Sequence, residues 1–275
     1  MTNNTVLGGI DPEITDRLIT RRDAIRHGAS TSTKVAAGLA LASVPIALAA
    51  LAKDAFAATP LPQGIVDVLN FALTLEYLES TFYNVGVGTS GLIPASDKAV
   101  FQQIQKHENA HVVYLQMALG AAAVAKPNFD FTAGGMFPDV FSNYATFQAV
   151  SQAFEDTGVR AYKGQAPNLM SQPDILTAAL QIHSVEARHA AEVRRLRGLD
   201  GWIIAKIGNL PPAVNAAVYG PGTPATDFPA EDNIVQGGIN LMSIINYGTD
   251  PLTAAFDEPL DKATVLAIAG PFIVA

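Results

Sequence analysis

The sequence predicts an all-α fold: a four-helix bundle over residues 58–198, followed by a Gly/Pro-rich C-terminal extension over residues 199–275. Three observations predict it. Apolar residues recur at helical spacing in four long stretches, with few of the alternations that mark strands. Breaks rich in Gly and Pro separate those stretches. Two of the stretches carry the same word, Glu-x-x-His, near their middles. With 275 residues, 49% of them hydrophobic and 15% charged, the chain can bury a substantial core and is not expected to be disordered over most of its length.

The first helix is expected from Gln63 to Tyr83, through Ile65, Val66, Leu69, Leu73 and Leu75, and glycines 86, 88 and 91 end the run. Ser96 is placed to cap the second, which continues to about Ala123 through Val100, Ile104, Val112 and Leu115. A long loop follows from Lys126 to Asp139, containing Pro127, Gly134, Gly135 and Pro138. The third helix reads from Thr146 to roughly Lys163, with Pro167 in its exit turn. Pro173 sits where a first-turn proline belongs and opens the fourth, which runs to about Arg197 with Gly198 beyond it. The extension after Leu199 is expected to pack on the bundle rather than form its own domain. Leu260 to Ile273 reads as a helix capped by Asp261, and the lone Trp202 reads as packing for the extension.

Residues 1–57 read as an address. Thr20-Arg21-Arg22-Asp23-Ala24-Ile25 is a twin-arginine pattern, an uncharged run follows from Val35 to Ala52, and Ala55-Phe56-Ala57 is a small-x-small cleavage signal. Together they resemble a twin-arginine export signal, which implies a periplasmic or cell-envelope protein with a mature chain beginning near Ala58. Two other readings are a core helix after an amphipathic arm and an uncleaved membrane anchor, since 18 uncharged residues sit near the lower limit for spanning. Membrane association is expected only in the last case.

The chain carries 17 Lys/Arg against 25 Asp/Glu, a net charge of −8. Residues 1–57 hold six Lys/Arg and five Asp/Glu, so the remainder has 11 against 20, or −9. No basic patch is left there for nucleic acid. Cysteine is absent, which removes disulfides, thiolate nucleophiles, Cys-ligated zinc and iron–sulfur clusters. A metal site in this chain must use His, Asp or Glu.

Glu108-Asn-Ala-His111 and Glu186-Ala-Arg-His189 each place a carboxylate and an imidazole on one helix face at i, i+3, so each pair can reach a common ion. Glu76 precedes the first word and Glu155 the second at nearly the same distance, and each has a tyrosine seven residues later, Tyr83 and Tyr162. The pattern is a degenerate repeat of a two-helix unit. Glu79 rivals Glu76 and Asp156 rivals Glu155, and the matched tyrosine offset favours Glu76 and Glu155. Tyr83 and Tyr162 read equally as hydrogen-bond donors to these carboxylates or as ordinary core residues. His107 and His183, which flank the two words, read as surface residues, and Glu192 as an ion-pair partner of Arg188 or Arg195. Read blandly, the whole set would be solvated helix faces, which the paired spacing disfavours.

On these motifs the chain resembles the ferritin-like di-iron and di-manganese carboxylate bundles, which take one Glu from each of two helices and Glu-x-x-His from each of two others. The resemblance spans about residues 63–198, in LNFALTLEYLESTFY (69–83), HENAHVVYLQMAL (107–119), FEDTGVRAYKGQAP (154–167) and HSVEARHAAEVRRLR (183–197). The closing AFDEPLDKATVLAIAGPFI (255–273) resembles the tail of an exported branch that includes desiccation-related proteins. The resemblance implies two metals held by Glu76, Glu108, His111, Glu155, Glu186 and His189, with Glu108 and Glu186 bridging and Glu76 and Glu155 terminal.

Four carboxylates and two neutral imidazoles sum to −4, which two divalent cations balance. Without cations such a set in an apolar core is strongly destabilising. Oxygen and imidazole donors suit iron or manganese, and zinc could also occupy the site. The expected function is handling of dioxygen or peroxide at that centre, with an external electron donor if it is redox-active. The competing reading is a non-catalytic stress- or desiccation-related envelope protein with a structural metal, in which loop 126–139 and the extension are the working parts. An iron-storing cage fits poorly with the leader and the long tail, whereas a homo-oligomer is compatible with the sequence.

Overall fold

The computed structural model of the chain describes residues 61–274; the twin-arginine pattern, the apolar run and the cleavage signal of residues 1–57 lie outside them. Four long helices make the bundle: α1 (Gln63–Gly88), α2 (Lys98–Leu119), α3 (Tyr144–Gln165) and α4 (Pro173–Leu196). Helix α1 packs chiefly along α2, and α3 along α4. The fold is all-α, as the periodicity predicts. No helix among the described residues is long and apolar enough to cross a membrane.

Helix ends follow local chemistry, with small corrections to the sequence reading. Helix α1 runs on through Gly86 to Gly88, because Gly86 faces Phe147 so closely that a Cβ there would overlap the ring. Its glycines let the helix pass an aromatic neighbour before they end it. Ser96 does not cap α2; Asp97 stands at the N-cap position without a side-chain capping bond. The helix stops at Leu119, since Gly120 takes φ +55° and turns the chain into a short 3-10 segment. Asn143 starts α3 two residues early by accepting from the Ala145 N–H at 3.0 Å. Pro173 opens α4, and Gly198 at φ +75° lies just beyond its end.

The predicted loop 126–139 is more anchored than its Gly/Pro content suggests. Strand β1 (Asn128–Phe129) pairs antiparallel with the C-terminal strand β4 (Ile273–Val274), register Asn128↔Val274 and Phe129↔Ile273. Phe131, Phe137 and Val140 are buried in a core cluster with Phe82, Phe101, Phe147 and Phe154. Phe82 stacks on Phe147 at 4.8 Å and meets Phe154 edge-on at 5.2 Å. A second cluster, around Leu73, Leu115, Leu169 and Ile175, fills the other end of the bundle. The polar layer described below lies between the two.

The extension contains helices α5 (Pro212–Tyr219), α6 (Thr249–Thr253) and α7 (Lys262–Ala269), and a hairpin of β2 (Val235–Gln236) and β3 (Ile239–Asn240). Asp261 caps α7, accepting from the Thr264 N–H at 3.0 Å. The helix is shorter than expected, because Gly270 and Pro271 turn it into a 3-10 segment before β4. Arg160 of α3 is fully buried and fastens this region to the bundle. Its guanidinium donates to the carbonyls of Val218, Gly220 (3.0 Å), Pro229 (3.0 Å) and Glu258 (2.9 Å), and its Nε lies 2.9 Å from Glu231 Oε1. Trp202 departs from the sequence reading: 52% of it is exposed, at the rim of a cleft with Ala254 and Ala255. The extension's packing is done instead by Val218, Tyr219, Ile203 and Leu210.

Candidate metal centre

Each bundle helix brings its donors inward from mid-length: α1 carries Glu76, α2 Glu108 and His111, α3 Glu155, and α4 Glu186 and His189. All four carboxylates have 0% exposure, and the two imidazoles only 9% and 4%. The i, i+3 spacing puts Glu and His of each word on one face, and the apolar residues around them bury that face.

The six residues form two donor groups. Glu76, Glu108, His111 and Glu186 offer ligand atoms within 4.8 Å of one another, and so do Glu108, Glu155, Glu186 and His189. Glu108 and Glu186 belong to both. His111 Nδ1 lies 3.2 Å from Glu76 Oε2, 3.2 Å from Glu108 Oε2 and 3.1 Å from Glu186 Oε1. His189 Nδ1 lies 2.8 Å from Glu108 Oε1 and 3.2 Å from Glu155 Oε2. Both imidazoles therefore turn the same nitrogen toward the carboxylates.

Only part of this proximity amounts to hydrogen bonding: His111 Nδ1 bonds Glu76 Oε2 and Glu108 Oε2 at 3.2 Å. Among the described residues, Glu108 Oε1, Glu155 Oε2, both oxygens of Glu186 and His189 Nδ1 are buried without a hydrogen-bond partner. The contacts around His189 are close but misaligned. Buried polar atoms are seldom left so in a native fold, and each one costs about 1–3 kcal/mol or more. Orphaned donor atoms that converge on shared points fit a pair of cations bound by oxygen and imidazole.

Without cations, protons balance the charge. Burial pushes the Glu76 carboxyl up to about 8, with Glu108 and Glu186 adding repulsion and His111 opposing it. Burial likewise drives Glu155 well above the ordinary range despite the pull of His189. Burial also opposes charge on Glu108 and Glu186, but the imidazoles hold both below their usual value. For His111 and His189 burial favours the neutral ring, and the surrounding carboxylates outweigh it, so both are raised well above theirs. The result is two ionised shared carboxylates facing two protonated imidazoles.

The tyrosines complete the layer in a crossed arrangement. Tyr83 Oη donates to Glu155 Oε1 at 2.5 Å, and Tyr162 Oη donates to Glu76 Oε1 at 2.5 Å. Each tyrosine serves the glutamate of the other repeat, not the one seven residues before it on its own helix. Of the two readings the spacing allowed, the hydrogen-bonding one describes both. Burial first, then the neighbouring carboxylate, keeps both phenols protonated as donors.

The rivals separate as well. Asp156 points elsewhere, accepting from Tyr219 Oη at 2.5 Å and Arg194 at 3.2 Å. Glu79 is buried beside the centre but belongs to neither donor group. Burial, reinforced by repulsion from Glu186, Glu155, Glu108 and Glu76, raises its carboxyl well above the usual range, so it is held neutral. The space for Glu79 and Glu186 comes from Gly158, where a Cβ would lie 3.3 Å from Glu79 Oε1 and 3.7 Å from Glu186 Oε2. His183 stands outside both groups, and Glu192 pairs at the surface with Arg195 at 3.0 Å. Sequence reasoning misplaced both flanking histidines, which are half-buried rather than simply on the surface; His183 Nδ1 is buried without a hydrogen-bond partner among the described residues. His107 Nδ1 lies 2.9 Å from His189 Nε2. Its position immediately before Glu108 was the available signal.

No curated protein matches the chain. The model of the ferritin-like domain family matches residues 64–199, the span from the start of α1 to just beyond α4. The four helices and the paired Glu-x-x-His words that meet in one buried layer all fall inside that span, and residues 64–199 are a ferritin-like domain.

Proposed function

We propose that the bundle binds two divalent iron or manganese ions and uses them on dioxygen or peroxide. The observation that carries this reading is the pair of four-residue donor groups sharing Glu108 and Glu186. In it Glu108 and Glu186 would be shared by both cations, Glu76 and His111 would complete one side, and Glu155 and His189 the other. Tyr83 and Tyr162 hold the outer oxygens of Glu155 and Glu76 and so orient the terminal carboxylates. Cation uptake displaces protons from the imidazoles and terminal carboxyls, because ligands bind deprotonated.

When bound, such a pair supplies redox equivalents and Lewis acidity at neighbouring positions. The chain sets which reactants can use them. With all four ligand carboxylates fully buried and only the imidazole edges near solvent, the enclosure favours reactants as small as dioxygen or peroxide over larger substrates. An electron donor, where turnover needs one, is external to the chain, which has no cysteine to hold an iron–sulfur or dithiol centre of its own. The twin-arginine pattern supports export to the periplasm or cell envelope, and the resemblance of the tail supports the branch that includes desiccation-related proteins.

The same enclosure supports a second reading, a structural metal in a non-catalytic stress or desiccation-related protein of the envelope. The anchored loop 126–139, with its aromatic residues buried, gives that reading less free surface to work with. Elemental analysis of protein purified from its native envelope, joined to a peroxide-consumption assay, separates the two. Two iron or manganese ions per chain with turnover are expected. Tightly held zinc without turnover, or a metal-free protein that consumes no peroxide, would overturn the catalytic reading.

A further inference from the structure

Two imidazoles face the carboxylate layer through Nδ1, but among the described residues only His189 has its other nitrogen engaged by a further ring. His107 Nδ1 lies 2.9 Å from His189 Nε2, with ring centroids 5.1 Å apart and planes inclined by 13°. Nitrogens that close, on centroids that far apart, mean that the rings meet edge to edge in nearly one plane. That is the direction in which an imidazole N–H and a ring lone pair form a hydrogen bond.

We propose that His107 is a positioning residue, which fixes His189 in the tautomer and rotation that leave Nδ1 free to bind a cation. A neutral imidazole carries one N–H. If Nδ1 gives its lone pair to a cation, Nε2 must hold the proton, and Nε2 then needs an acceptor. His107 Nδ1 is that acceptor. Its own proton is then on Nε2, 2.6 Å from the Gln103 Nε2 position; a half-turn of that amide, which exchanges its nitrogen and oxygen, brings the accepting oxygen there. The series runs His189 to His107 to Gln103, from the buried layer to the exposed face of α2.

The device serves one donor group and not the other. The hydrogen bonds of His111 among the described residues are both made through Nδ1, to Glu76 and Glu108. The repeat offers no second copy: the position before Glu108 is His107, whereas the position before Glu186 is Val185. His107 therefore tunes the side made of Glu108, Glu155, Glu186 and His189. Removing the outer partner of a ligating histidine typically costs about 10- to 100-fold in metal affinity.

This inference rests on the two-metal reading, and its test keeps the two apart. The full chain is titrated with cobalt(II), followed by calorimetry and by the cobalt absorption bands. The wild type is expected to bind two ions. His107→Leu should weaken one of them about 10- to 100-fold and leave the other unchanged. His107→Asn, whose Oδ1 can stand where Nδ1 stood, should restore the affinity. The bands surviving in His107→Leu at low cobalt should match those of His189→Ala, which keeps only the His111 side. Gln103→Leu, an exposed helix position, should produce a smaller weakening of the same ion and serves if His107→Leu fails to fold. Wild-type affinity for both ions in His107→Leu and Gln103→Leu would overturn the role of His107, as would equal weakening in His107→Leu and His107→Asn. A wild type that binds fewer than two ions overturns the two-metal reading itself.

Discussion

Glu108 and Glu186 belong to both donor groups, so their loss differs in kind from the loss of Glu76 or Glu155. Glu108→Ala and Glu186→Ala should each disturb both cations and abolish binding of at least one. Glu76→Ala should weaken the His111 side alone, and Glu155→Ala the His189 side alone. Metal stoichiometry by elemental analysis after dialysis checks this, and two retained ions in Glu108→Ala or Glu186→Ala would refute the bridging assignment. At this scale much was legible. The paired words named Glu108, His111, Glu186 and His189, and the tyrosine offset chose Glu76 over Glu79 and Glu155 over Asp156. What was not legible was the partner of each group. Nothing in the spacing shows that Tyr83 reaches across to Glu155, that Asp156 turns to Tyr219 and Arg194, or that His107 meets His189. Those pairings depend on which helix lies beside which.

The helices themselves were the most readable elements, because an apolar stripe with polar breaks needs only local periodicity to declare itself. Their ends shifted by a few residues where a neighbour intervened. Gly86 stays helical against Phe147, and Gly164 lies inside α3 where the extension crosses it. A Cβ at Gly164 would overlap the Leu260 carbonyl, and the Leu260 N–H donates to the Arg160 carbonyl at 3.0 Å. Gly164→Ala should therefore push the extension off α3 and destabilise the protein by about 1–3 kcal/mol. Gly64→Ala in the first turn of α1, where nothing lies within 4 Å, should stay within about 0.5 kcal/mol of the wild type or gain slightly. Urea denaturation midpoints compare the two, and a neutral Gly164→Ala would show that the crossing is not tightly packed.

For the described molecule, the extension is held by a buried guanidinium as much as by apolar contact. Arg160 spends its donors on five carbonyls of residues 218–259 and faces Glu231, itself 1% exposed. Arg160→Met would fill the space but leave the carbonyls without their donor and the buried Glu231 carboxylate with only the Glu258 N–H. A loss of about 3–5 kcal/mol is expected, the usual result of removing one member of a buried pair. Chemical denaturation measures it, and the double variant Arg160→Met/Glu231→Gln should recover part of the loss. A single variant as stable as the wild type would show that the extension is held elsewhere.

The sequence by itself determined the all-α bundle, the repeated two-helix unit and the six residues that meet in the buried carboxylate–imidazole layer. Each of these rests on periodicity or fixed spacing along a helix, which geometry at 3.6 residues per turn converts directly into a shared face. Only the tertiary structure decided the crossed tyrosines, the neutral Glu79, the engagement of His189 by His107 and the Arg160 anchor. Each of these joins residues on different elements through side-chain direction and burial, and no spacing along the chain encodes which of two helices a side chain will meet.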